Sequence, residues 1–102
     1  MRQDTIYMLS GQLPGLYMPD SVALYGSLRD ARKALAEMTR DYRGEGEKVI
    51  ITHERDSSIA RIIRDGEEYP HYCHIIEPVS WRDIARDQGM KTRTEVLEAE
   101  QW

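Results

Sequence analysis

A chain of 102 residues, 40% AVILMFWYC and 31% DEKR with a formal charge of −4, is sized for one core of a helix on a sheet and is too apolar for a wholly disordered protein. The acidic balance argues against nonspecific attraction to nucleic acid or anionic lipid, which would need a positive field. No apolar run approaches a membrane span, the opening MRQDTIYMLSG lacks the features of a signal peptide, and Cys73 is the single cysteine, so a cytoplasmic protein without an intrachain disulfide is expected.

Thr5 to Ser10 is a short apolar run rich in strand formers, closed by Gly11, and predicts the first strand. From Gly11 to Asp20, Pro14, Gly15 and Pro19 break any helix. This loop is unusually apolar: Leu13, Leu16, Tyr17 and Met18 either cover the core edge or stand in water as a contact patch. Ser21 to Tyr25 predicts a second strand, paired with the first as a hairpin.

Ser27 to Gly44 carries the strongest signal in the chain. Leu28, Ala31, Leu35, Met38 and Tyr42 recur at steps of three and four and form one apolar stripe, while Arg29, Lys33, Glu37, Arg40 and Asp41 fall elsewhere. Ser27 is the expected N-cap, Asp30 suits the positive helix end, and Gly44 is expected to supply the left-handed stop. Segment 27–43 carries five basic and three acidic residues, whereas 44–68 carries four basic and seven acidic. The preferred reading is solvated faces with local ion pairs such as Lys33 with Glu37, and the alternative is a domain with two functional faces of opposite sign.

Lys48 to His53 reads as a strand through three successive β-branched residues. A polar turn at Glu54 to Ser58 and a strand from Ile59 to Arg64 follow. Asp65-Gly66 is a hairpin signal, with Glu67 to Glu77 returning along the preceding strand. Pro70 belongs at an edge, a bulge or a position without a ladder bond, and Pro78 is expected to end the strand. Ser80 and Thr92 are N-cap candidates for two short helices, the first stopped by Gly89.

The expected class is α+β: an antiparallel sheet of about five strands in the order β-β-α-β-β-β, with one main helix on one face and two short C-terminal helices. Residues 1–78 form the expected core and 79–102 a helical extension that docks on it or on a second copy.

Three local patterns bear on chemistry. His71, Cys73 and His74 are the only clustered metal-ligand types, but strand alternation puts His71 and Cys73 on one face and His74 on the other, too few for a closed site. Cys73 lacks the oxyanion-hole and glycine-turn signals of a covalent catalyst. GEGEK at 44–48 follows a helix instead of opening one, and Glu45 and Glu47 repel phosphate. No enzyme, cofactor or metal is expected.

The segment Ser80 to Trp102 resembles a helix-turn-helix unit in Ile84-Ala85, Gly89-Met90 and Thr92-Arg93-Thr94 ahead of Val96. That resemblance implies a sequence-specific DNA-binding regulator as the alternative function. Against it, Arg82, Arg86, Lys91 and Arg93 are outnumbered by Asp83, Asp87, Glu95, Glu98 and Glu100, so direct nucleic-acid binding is disfavoured. The leading expectation is a non-enzymatic adaptor or inhibitor with a protein partner and no membrane contact, with a homodimer through the C-terminal helices as one form. Its anchors are Leu16, Tyr17, Met18, Trp81 and Trp102. Glu54, Asp56, Asp65, Glu67 and Glu68 would present negative charge to a basic groove, as expected of a mobile-element inhibitor of a host nucleic-acid-binding complex such as a CRISPR effector.

Overall fold

The computed structural model describes residues 4–15 and 19–99. Leu16, Tyr17, Met18 and Trp102, four of the expected anchors, lie outside the described residues. The element order is β1 (Thr5–Gln12), β2 (Ser21–Tyr25), α1 (Leu28–Gly44), β3 (Lys48–His53), β4 (Ser58–Ile63), β5 (Tyr72–Ser80), α2 (Trp81–Gln88) and α3 (Arg93–Glu98). The strands form one antiparallel sheet in the order β2-β1-β5-β4-β3. This is the expected α+β architecture. No helix is long and apolar enough to cross a membrane among the described residues.

α1 forms where its stripe and cap agree. The Ser27 hydroxyl accepts from the Asp30 amide at 3.1 Å, and Ala31, Leu35 and Thr39 are buried along the inner face. Ala31 and Leu35 pack with Leu9, Ala60 and Ile76 of the sheet. Leu35 is 1% exposed, so its truncation to Ala costs about 3 kcal/mol. The stop differs from expectation: Gly44 is inside the last turn, Glu45 is the C-cap, and Gly46 takes the left-handed conformation at φ +89°.

Alternation turns Ile6 to the sheet face opposite Leu9, and there α2 and α3 dock. Ile6, Ala85 and Val96 are buried together, with Leu24, Val79, Trp81 and Leu97 around them. Short helices are marginal alone; these are held by burial and caps. Asp83 N–H donates to Ser80 Oγ, Glu95 N–H donates to Thr92 Oγ1, and the Thr92 hydroxyl donates to Glu95 Oε1 at 3.1 Å. Gly89 closes α2 at φ +71°.

Three further local expectations are corrected. β1 continues through Gly11 to Gln12. β5 continues through Pro78 to Ser80: β4 begins at Ser58, opposite Ile76, so beyond that register β5 has no neighbour on its β4 side and a residue without N–H is accommodated. Asp65-Gly66 does not close a tight two-residue hairpin. Gly66 alone has positive φ, at +83°, and Glu67 N–H donates to Arg64 O at 3.0 Å. That is a type II turn, whose twist does not match paired strands; the chain returns to β4 where His71 N–H donates to Ile62 O at 2.9 Å, and β5 runs from Tyr72.

Candidate functional site

The connections fall at two ends of the sheet. At one, the β3–β4 turn, the β2–α1 junction and helices α2 and α3 gather beside the N-terminus of α1. At the other, the β1–β2 connection, the α1–β3 loop and the β4–β5 connection converge below its C-terminus. Loops held on a regular scaffold are where binding residues concentrate, and the second end has both a polar foundation and an exposed rim.

The foundation is built from strand register. Gly11 of β1 lies opposite His74 of β5, and the missing side chain leaves room for the Tyr72 ring. A Cβ at Gly11 would come within 2.7 Å of Ser21 Oγ and 3.0 Å of Tyr72 Cε2, and would collide with the Tyr72 hydroxyl. Through this gap Tyr72 donates a short hydrogen bond to the Asp20 carboxylate. Burial, then the Asp20 bond, push the Tyr72 phenol up to about 12, so it stays a donor.

His74, 3% exposed, sits between Tyr72 and Tyr42. Its ring meets Tyr72 edge-on at 5.0 Å and Tyr42 at a tilt at 5.6 Å. The Tyr42 hydroxyl and His74 Nε2 are 3.0 Å apart. Burial lowers the His74 pKa, partly opposed by Asp20; burial, then the nearby Glu47, Glu45 and Asp20 charges, raise that of Tyr42. Burial thus disfavours both the imidazolium and the phenolate, and the His74 tautomer sets which of Tyr42 Oη and His74 Nε2 donates. Nδ1 is buried without a hydrogen-bond partner among the described residues. Beside this pair, His71 Nε2 lies 2.7 Å from Glu47 Oε1 and joins the β4–β5 connection to the loop after α1.

On this foundation stands the rim. Arg64, Asp65, Gly66, Glu67, Glu68 and Tyr69 are all exposed, Tyr69 at 76%, and Leu13 at the same end is 48% exposed. An aromatic ring this open contributes little to the fold.

The structure divides the acidic residues proposed from sequence. Asp65, Glu67 and Glu68 share the rim, whereas Glu54 and Asp56 lie on the β3–β4 turn, beyond the full length of β4 and about 20 Å away. They do not form one patch. Trp81 is half-buried in the Ile6 cluster, with the Arg82 guanidinium 4.8 Å over its ring. Sequence reading did not single out the exposed Tyr69 and missed the Tyr42–His74–Tyr72–Asp20 set. The available signal was Gly11, since a glycine inside a strand marks a close approach.

Cys73 is buried, and burial raises its thiol pKa, a setting that disfavours thiolate. No group of three or more His, Cys, Asp or Glu side chains suited to a metal occurs among the described residues. An open depression of about 420 Å³ between the start of β1 and the end of β5 is lined by Asp4, Thr5, Pro78, Val79 and Ser80, without converging titratable groups. Comparison with protein families, with curated proteins and with solved structures finds no match.

Proposed function

We propose that this protein acts by binding a basic macromolecular partner through the acidic, aromatic rim of its loop end, and that it is an adaptor or inhibitor, not an enzyme. The observation that supports this most is Tyr69, 76% exposed among Asp65, Glu67 and Glu68. Aromatic residues anchor interfaces by burying a large rigid surface, and surrounding carboxylates steer a cationic partner and fix its register. The links from His71 to Glu47 and from Tyr72 to Asp20 hold the base of the rim, which lowers the ordering cost of binding. A basic groove that normally holds nucleic acid is the kind of surface such a rim fits, so an inhibitor of a nucleic-acid-binding complex, such as a CRISPR effector, is the particular form of the proposal.

The test is affinity capture from the producing cell with wild type, with Glu67→Lys/Glu68→Lys/Tyr69→Ala, and with Arg82→Glu/Lys91→Glu. A stoichiometric partner retained by wild type and the second variant, and lost by the first, supports the reading. A partner held equally by all three contradicts it.

A second reading, DNA binding through α2 and α3, has one observation in its favour: the helices close about left-handed Gly89 with a four-residue connection. The cations there are partly committed. Arg93 donates to Gly26 O at 2.8 Å and Arg86 to Asp83 at 2.5 Å. A mobility shift at low salt that Arg82→Glu/Lys91→Glu abolishes would favour this reading.

A further inference from the structure

The second surface of interest lies where α1 overlooks the edge strand β3. Edge strands are usually protected by proline, a bulge or charge. β3, KVIITH, has neither proline nor a break in its register from Lys48 opposite Ile63 to His53 opposite Ser58. Its one lysine stands at the start, and Ile50 is 41% exposed.

The hydrogen-bond phase of this edge follows from its turn. Glu54 N–H donates to Ser57 O at 2.9 Å, which makes Glu54 and Ser57 a bonded pair. Bonded pairs alternate with unbonded ones in an antiparallel ladder. Thr52, Ile50 and Lys48 therefore spend their N–H and C=O groups on β4, while Val49, Ile51 and His53 turn theirs outward. Those three residues point their side chains to the α1 face.

The flank of α1 toward this edge is marked by Arg32. Its Nε donates to Ser58 Oγ at 3.0 Å, and Nη2 donates to Glu54 O at 2.6 Å and Ser57 O at 3.1 Å. Within about 100° of rotation beyond Arg32 follow Arg43, Ala36, Arg29, Arg40 and Lys33, spread over about 21 Å of helix. All five are exposed, and none of the four cations makes an ion pair among the described residues. Asp30, Glu37 and Asp41 lie about 140–180° round, away from β3. A basic row therefore runs beside an open edge of nearly equal length.

We propose that β3 accepts an extended acidic peptide segment of a partner protein as a sixth strand. The peptide's main chain bonds to Val49, Ile51 and His53. Its residues opposite those three face the α1 flank, where carboxylates meet Arg29, Lys33, Arg40 and Arg43, and its intervening residues lie beside Ile50 on the opposite face, where an apolar side chain fits. Main-chain bonds supply affinity and alternate side chains supply selectivity, as in other strand additions. This surface is separate from the acidic rim, and neither proposal depends on the other.

The probe is a fluorescein-labelled peptide alternating Glu and Val, with a Lys and Val peptide as control, read by anisotropy, and by amide exchange in NMR. The acidic peptide is expected to bind at least tenfold tighter than the control, to lose at least tenfold in affinity with Lys33→Glu/Arg40→Glu, and to slow exchange at Val49, Ile51 and His53 while leaving Ala23 on the opposite edge unchanged. Equal binding of both peptides, absent binding, or protection elsewhere overturns the proposal. So does a concentration-dependent dimer in light scattering that protects the same three amides without peptide, because a second copy is then the occupant.

Discussion

The hydroxyl of Tyr42, on the last turns of α1, meets Nε2 of buried His74 at 3.0 Å, so the helix and the central strand β5 share a neutral hydrogen bond beneath the loop end. Burial of the ring disfavours its charged form there. In the unfolded chain His74 takes up a proton near its ordinary value of 6.5, whereas burial lowers the folded value.

Stability therefore depends on pH through His74. The unfolded state binds more protons below the ordinary value, so this contribution is complete above it and is lost as pH falls from there through the lower folded-state value. Urea unfolding from about pH 7.5 to about pH 5 is expected to show wild type losing more stability than His74→Gln. Equal slopes would remove His74 as the source. Tyr42→Phe leaves Nε2 unpartnered as well as Nδ1 and is expected to cost about 1–2 kcal/mol at neutral pH.

Gly11 is required by the Tyr72 hydroxyl, not by backbone conformation. Gly11→Ala places a methyl against that hydroxyl and Ser21 Oγ and is expected to destabilise by about 1–3 kcal/mol. In the Tyr72→Phe background the same substitution should cost less, because the colliding oxygen is gone. A double-mutant cycle by denaturant unfolding measures the coupling; additive costs would contradict the assignment.

Arg32 sits in the basic half of α1 but serves the fold. Arg32→Lys cannot reproduce the bonds of Nε and Nη2 to Ser58, Glu54 and Ser57. A loss of about 2 kcal/mol is expected, read as a lower thermal midpoint, with faster amide exchange in the β3–β4 turn. The neighbouring Arg29→Lys, which has no such bonds, should leave both unchanged.

Much of this architecture is written in local patterns. The Ser27 cap, the α1 stripe, the β-branched run at Val49 to Ile51 and the stop at Gly89 each act over a few residues, and each is found where the sequence places it. What escaped depends on partners distant in the chain. Gly11 reads as a strand end until Tyr72 is known to cross it, and Pro78 reads as a stop until β4 is known to begin only at Ser58. The Asp65-Gly66 pair supports more than one turn type, and the φ of Asp65 decides between them. The site was partly legible for the same reason. Asp65, Glu67 and Glu68 stand out by charge in the sequence, but their separation from Glu54 and Asp56 by the length of β4 comes only from the fold.

The most direct test of the central claim is site-specific photo-crosslinking in the producing cell, with benzoylphenylalanine placed in turn at Tyr69 on the rim and at Arg86 on α2. A partner crosslinked from position 69 and not from 86 is the predicted result. Crosslinking from 86 with none from 69 would contradict it and locate the binding surface on the C-terminal helices.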